Sequence, residues 1–221
     1  MKPTIIMTQS TRYQHPDAHV LHLPFIKISP LSLPSNFNNQ SYDWLILTSK
    51  NAVTHFKPYL DHIHYKKLAV IGEKTKQLCH DLGLKVDFCP KDFSQEGFLE
   101  AFHGKEGRVL IPSSLKARPK LAETLRNRGL EVTKLDLYEP IAHDKHIQEA
   151  IQLIESNLIN ALTFASSSSA RYYFSKGGDT TFQHYYVIGH ETLKTVESYG
   201  ASAKVAPIQT LDAMMQTILR K

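Results

Sequence analysis
An eleven-residue stretch occurs twice in this chain, and it limits the folds open to the rest. Leu68 to Leu78 reads LAVIGEKTKQL and Tyr185 to Thr195 reads YYVIGHETLKT. In each, a β-rich apolar run ends at Ile71 or Ile188. A glycine follows (Gly72 or Gly189), then two polar residues, then a threonine (Thr75 or Thr192). A short apolar run closed by a breaker and followed by helical spacing reads as a buried strand feeding a helix. The glycine reads as a tight turn that leaves room for close approach. The threonine falls in the first helical turn, where unpaired backbone N–H groups favour anions.

The duplication extends on both sides. DWLILTSKNAVTHF (Asp43 to Phe56) precedes the first copy, and NALTFASSSSARYYF (Asn160 to Phe174) precedes the second. Asp43 and Asn160 are separated by the same 117 residues as Leu68 and Tyr185. Leu82 to Phe102 echoes Tyr199 to Ile218, and Thr4 to Ser10 more faintly echoes Arg108 to Ser114. A period this long exceeds the roughly 20–50 residues of solenoid repeats. It predicts two similar α/β domains, each large enough for its own core.

Taken in order, strands are expected at Thr4–Thr8, Trp44–Leu47, Leu68–Ile71, Lys85–Phe88 and Arg108–Ile111. Helices are expected near Ala52–Tyr59, Glu73–Leu82, Gln95–Phe102 with Ser94 as cap, up to Arg128 with Gly129 as stop, and His146–Ser156. Alternation of this kind predicts doubly wound parallel sheets. Two extended segments, His19–Leu31 and Leu130–Ile141, are interrupted by Pro24, Pro30 and Pro140. Proline keeps a strand from a central place, so both are expected outside the repeat, side by side as a two-stranded linker crossed twice. The expected division is 1–22 with 141–221 as a discontinuous first domain, 35–130 as the second, and 23–34 with 131–140 as linker strands, with the active site in the cleft between domains.

The polar chemistry clusters just past predicted strand ends. Thr8, Ser10 and Thr11 follow one strand, Thr48 and Ser49 another, Ser113 and Ser114 a third, and Ser166 to Ser169 a fourth; Thr75 and Thr192 follow the two glycine turns. Ligands of doubly wound sheets bind at such ends, although hydroxyls there also serve simply as helix caps. A net charge of +5 beside 12 histidines suits an anionic ligand. It is too mild and dispersed to argue for nucleic acid. There is no G-x-G-x-x-G, no P-loop, no H-E-x-x-H and no G-x-S-x-G elbow. The His19/His22 and His62/His64 pairs match no common metal spacing. Cys79 and Cys89 read as free thiols of a cytoplasmic protein. The opening MKPTIIMTQS is too short and too soon polar for a signal peptide, and no apolar run approaches the ~18 residues of a membrane span. The expected site is a hydroxyl- and N–H-lined cleft for a polycarboxylate that brings its own reactivity.

DWLILTSKNAV, LAVIGEKT, RVLIPSS…R, LDLYEPI, LTFASSSSAR, YYVIGHET and a late proline before a helix stand in one order along nearly the whole chain. In that order they resemble the uroporphyrinogen-III synthase family. The resemblance implies two α/β domains on a two-stranded linker, a monomer, and no metal or organic cofactor. It implies conversion of hydroxymethylbilane, a polycarboxylate tetrapyrrole precursor, to uroporphyrinogen III, with loss of water and inversion of the terminal ring through a spiro intermediate. The family's catalytic tyrosine falls on Tyr138, and its substrate-binding residues fall on Ser49, Thr75, Arg118, Ser166, Ser168 and Thr192. Arg12 in TQSTR stands where the family often has Thr-Arg-Pro. A two-domain binding protein without catalysis is the alternative for such an architecture.

Overall fold
The computed structural model describes residues 1–34 and 37–220. The expected domain limits at 35 and 221 therefore lie outside the described residues. Along the chain the elements are β1 (Thr4–Met7), β2 (His19–His22), β3 (Ile26–Pro30), β4 (Ser41–Leu47), α1 (Lys50–Phe56), a 3-10 turn (Lys57–His62), β5 (His64–Val70), α2 (Glu73–Asp81), α3 (Gln95–Ala101), β6 (Arg108–Ser114), α4 (Lys120–Asn127), β7 (Glu131–Ala142), α5 (Asp144–Glu155), β8 (Ala161–Phe164), α6 (Ser167–Ser175), β9 (Tyr185–Val187), α7 (His190–Glu197), β10 (Ala203–Val205) and α8 (Leu211–Leu219). The chain divides into two compact units, Met1–Lys27 with Ile141–Lys221, and Ile28–Pro140.

In the first unit the strand order is β10-β9-β8-β1-β2, and every pairing is parallel. Side chains alternate across it, as the two-residue period of a strand requires. Ile6, Leu162, Phe164, Tyr185 and Val187 pack with Ile147, Ile151 and Ile154 of α5, Tyr173 and Phe174 of α6, and Val196 of α7. Ile5, Met7, Ala161 and Tyr186 form a separate cluster with Met214 and Met215 of α8. A sheet buried on both faces reads as continuous apolar runs, which is why TIIM and ALTF carry no polar alternation.

The second unit has the order β3-β7-β6-β4-β5, with β4–β5, β4–β6 and β6–β7 parallel. Leu45, Leu47, Leu68, Val70, Leu110 and Leu137 pack with α1 and with Cys79 of α2. Ile46, Ala69, Val109 and Ile111 pack with Phe98 and Leu99 of α3 and Leu121 and Leu125 of α4. The two orders are the same sheet built twice: β4, β5, β6 and β7 take the places of β8, β9, β1 and β2. A shared detail marks the repeat. The Asp43 side chain accepts from the Arg108 N–H that opens β6 (2.8 Å), and the Asn160 side chain accepts from the Thr4 N–H that opens β1 (2.8 Å).

Three expectations are corrected. The proline-bounded segments do run side by side, β3 next to β7, but they do not lie outside the repeat: β2 pairs with β1, and β7 is an interior strand bonded to β6 from Arg108 to Ser114. Within those segments proline keeps to permitted places, since Pro24 lies between β2 and β3, Pro30 ends the edge strand β3, and Pro140 lies beyond the stretch paired with β6. Lys85–Phe88 is not a strand; a single parallel bridge joins Phe88 to Ala69. The first helix is shorter than expected, because Pro58 supplies no N–H to continue it and a 3-10 turn follows.

Candidate functional site
Tyr138 and Ser49 are brought together although 89 residues separate them. Ser49 ends the β4 connection and caps α1 by accepting from the Ala52 N–H (3.1 Å). Its Oγ also lies 3.1 Å from Tyr138 Oη, in a bond where either hydroxyl can donate. Tyr138, on β7, is 6% exposed, packs its ring 5.3 Å from the His55 ring, and joins the leucine cluster of that sheet. A phenol anchored by packing and bonded to one hydroxyl is held in a fixed orientation. His55 was not foreseen; its signal was a place on α1 one and a half turns beyond Ser49, on the side facing β7.

Thr75 and Thr192 occupy equivalent places, 5% and 4% exposed. The Thr75 N–H donates to the Gly72 carbonyl (3.0 Å), and the Thr192 N–H donates to that of Gly189 (3.1 Å). Both glycines are extended, with φ of −119° and −171°, so neither is required by backbone conformation, contrary to the tight-turn reading. They differ in surroundings. A Cβ at Gly189 would meet the Gln209 side chain at 3.0 Å, whereas at Gly72 it would meet nothing nearer than Thr75 Oγ1 at 4.0 Å. Close approach to the backbone is thus open at the Gly72 turn.

The other expected residues are spread over both units. Ser166 caps α6 by accepting from the Ser169 N–H (3.2 Å), matching Ser49, but its hydroxyl donates to Ser169 Oγ (3.2 Å) where Ser49 has a tyrosine. Ser168 is exposed at the start of α6, and Ser167 Oγ donates to the Glu191 carbonyl (3.0 Å), tying this loop to the Thr192 turn. Arg12 is exposed in the connection after β1. Arg118 is exposed before α4 and paired with Glu96 of α3 (3.1 Å), which Lys120 also contacts (3.1 Å). The backbone N–H of Glu96 itself, then Lys120 and Arg118, hold the Glu96 carboxyl down at about 2. Thr8 is structural: its hydroxyl donates to the Thr163 carbonyl (2.7 Å).

No helix among the described residues is long and apolar enough to cross a membrane. Among the same residues no group of three or more His, Cys, Asp and Glu side chains is arranged to hold a metal ion.

Against known proteins, the profile of the family described as uroporphyrinogen-III synthase HemD matches residues 10–216. A porphyrin biosynthesis protein HemD of Ruminiclostridium josui is 23% identical over 91% of this chain and 44% of its own length. A uroporphyrinogen-III synthase of Synechococcus elongatus is 28% identical over 70% of this chain and 64% of its own length. The chain therefore spans less than two thirds of both relatives. The crystal structure of a uroporphyrinogen-III synthetase from Helicobacter pylori superposes with a TM-score of 0.67 at 20% identity, covering 99% of each chain, which shows the shared fold. The order of strands repeated in two α/β units and the match over nearly all of the chain lead to one conclusion: this protein belongs to the uroporphyrinogen-III synthase family.

Proposed function
We propose that this chain is a lyase that closes hydroxymethylbilane to uroporphyrinogen III, acting as a cytoplasmic monomer without metal or organic cofactor and without a nucleic-acid or membrane partner. The observation that carries the reading is the Tyr138–Ser49 hydroxyl pair at the strand ends of the second sheet, in a chain of this family. Loss of the bilane hydroxyl as water needs one proton. In this reading Tyr138 Oη supplies it, and Ser49 orients the phenol. The electron pair that expels the hydroxyl comes from the adjoining pyrrole, so the acid assists a departure that the substrate already drives. The terminal pyrrole then attacks the exposed methylene through its own substituted carbon and gives the spiro intermediate. The bond from that carbon to its original bridging methylene breaks, the freed methylene bonds to the ring's unsubstituted carbon, and loss of the proton from that carbon closes the macrocycle with the ring inverted.

Binding of the polycarboxylate is assigned to charge and donors spread over many groups: Ser49, Thr75 and Arg118 in one unit, Ser166, Ser168, Thr192 and Arg12 in the other. The net +5 supports this, and affinity then weakens as salt screens exposed charges. The test is to incubate the purified protein with hydroxymethylbilane, oxidise the products and separate the isomers. Isomer III in large excess is expected; isomer I alone, as forms without any protein, rejects the reading.

A further inference from the structure
A small cavity lies at the ends of β4 and β6, beside the first turns of α3 and α4. Thr48, Gln95, Ser113, Arg118 and Lys134 line it together with Ile111, and its volume of about 20 Å³ admits one water-sized group, enough to seat one oxygen of a carboxylate. Ser113 is 2% exposed, yet its Oγ has no hydrogen-bond partner among the described residues, and neither has Gln95 Oε1. Buried hydroxyls in folded proteins are nearly always bonded, so an unpaired one that lines a cavity calls for an explanation. The backbone offers a second observation. The β6–β7 ladder shifts register between Ser113 and Ser114, an irregularity of the kind that re-aims side chains beside functional sites. Charge offers a third. Two cations, Arg118 and Lys134, line the same space, and their acids lie to the side: Glu96 for Arg118, Asp136 for Lys134.

We infer that this cavity is a carboxylate-binding subsite in which Ser113 Oγ donates to one oxygen of the anion and Arg118 and Lys134 balance its charge. Gln95 joins by a half-turn of its amide, which exchanges an acceptor for an N–H donor. Glu96 acts as an internal competitor. It engages Arg118 through an exposed pair, and such pairs in high dielectric are weak enough for another carboxylate to displace. The occupant is a single carboxylate group, either free or on an arm of the substrate. The second source rests on the reaction proposed above; the first does not.

The test uses the full chain with two probes. Sodium acetate, at ionic strength held constant with chloride, is titrated while Tm is followed. In parallel, KM and kcat are measured with hydroxymethylbilane. Acetate is expected to raise the Tm of the native protein and not that of Ser113→Ala. Ser113→Ala is expected to raise KM about tenfold, on the scale of one lost hydrogen bond to a charged group, with a smaller fall in kcat. Its Tm without acetate should be no lower than that of the native protein, since the hydroxyl it loses makes no bond. Arg118→Gln, at an exposed position, serves if Ser113→Ala does not fold and carries the same KM and acetate expectations. Glu96→Gln should move KM the other way, because it removes the competitor. A folded Ser113→Ala with native KM and native acetate response overturns the inference and leaves a site for water only. If the native protein forms no isomer III but shows the Ser113-dependent acetate effect, the subsite stands as a site for free carboxylates and the proposed reaction fails alone.

Discussion
The two units solve one problem in different ways. Each must carry the chain across between equivalent neighbouring strands, β1 to the edge strand β2 in one and β6 to the interior strand β7 in the other. In the second unit α4 makes the crossing and buries Leu121, Ala122 and Leu125 against the sheet. In the first unit no helix forms between β1 and β2. Tyr13, Ala18 and Val20 pack there against the α8 cluster, and Tyr13 Oη donates to Asp212 (2.7 Å). Both crossings are held by an acid at the second residue of a helix, α3 in one unit and α8 in the other: Glu96 after its cap Ser94, and Asp212 after its cap Thr210. The tether to the helical crossing is a set of exposed ion pairs, whereas the tether to the loop is a neutral phenol on a carboxylate. A crossing that already has a buried helix face can leave its tether free for ligand chemistry. A bare loop cannot.

The difference is open to breaking. The largest effect is expected for Leu125→Ala, which empties a fully buried site under α4 and should cost about 2–5 kcal/mol in denaturant unfolding. A loss under 1 kcal/mol would mean that α4 is not what secures that crossing. Tyr13→Phe keeps the ring and removes the tether, and should cost about 1 kcal/mol. Arg118→Gln, by the same measurement, should cost less. If it cost more, the two tethers would be misassigned.

Asp43→Ala and Asn160→Ala remove the equivalent bonds to the first N–H of β6 and β1. Both bonds face solvent, and each should cost under about 1 kcal/mol. A marked inequality in urea midpoints would show that the repeat is one of shape without shared energetics.

The smallest effects are in pH, and they have opposite signs. Burial and the Asp212 carboxylate raise the Tyr13 phenol to about 12. The folded state thus holds this proton more tightly than the unfolded state, so its contribution is complete below pH 10 and is lost as pH rises towards 12. The Glu96 carboxyl, held at about 2, contributes above pH 4.5 and loses that contribution as pH falls towards 2. Thermal melts of Tyr13→Phe and Glu96→Gln should therefore converge with the native curve at alkaline and acid pH respectively. Convergence at the opposite ends would contradict the assignment.

Much of this was legible in the sequence, for reasons that can be named. The 117-residue offset exposed the repeat because strand ends, glycine turns and caps are set locally, so Ser49 and Ser166 announce α1 and α6 without their surroundings. The place of β7 was not legible. Proline argues against an interior strand, but Pro140 falls just past the stretch bonded to β6, and only that partner strand reveals it. Ser113 stood among the strand-end hydroxyls, yet its lack of a partner depends on Gln95, Arg118 and Lys134 arriving from three other segments. The lack of a helix before β2 was legible, since Pro16 and a run of polar residues without helical spacing stand there.

Tyr138→Phe is the sharpest single measurement, because it deletes one oxygen and keeps the ring packed in the leucine cluster. The rate of isomer-III formation from hydroxymethylbilane should fall roughly tenfold or more, at the low end of general acid assistance because the substrate's own pyrrole drives the departure. Formation of isomer III at the native rate by a folded Tyr138→Phe protein would contradict the account and pass the proton to water or to a strand-end hydroxyl.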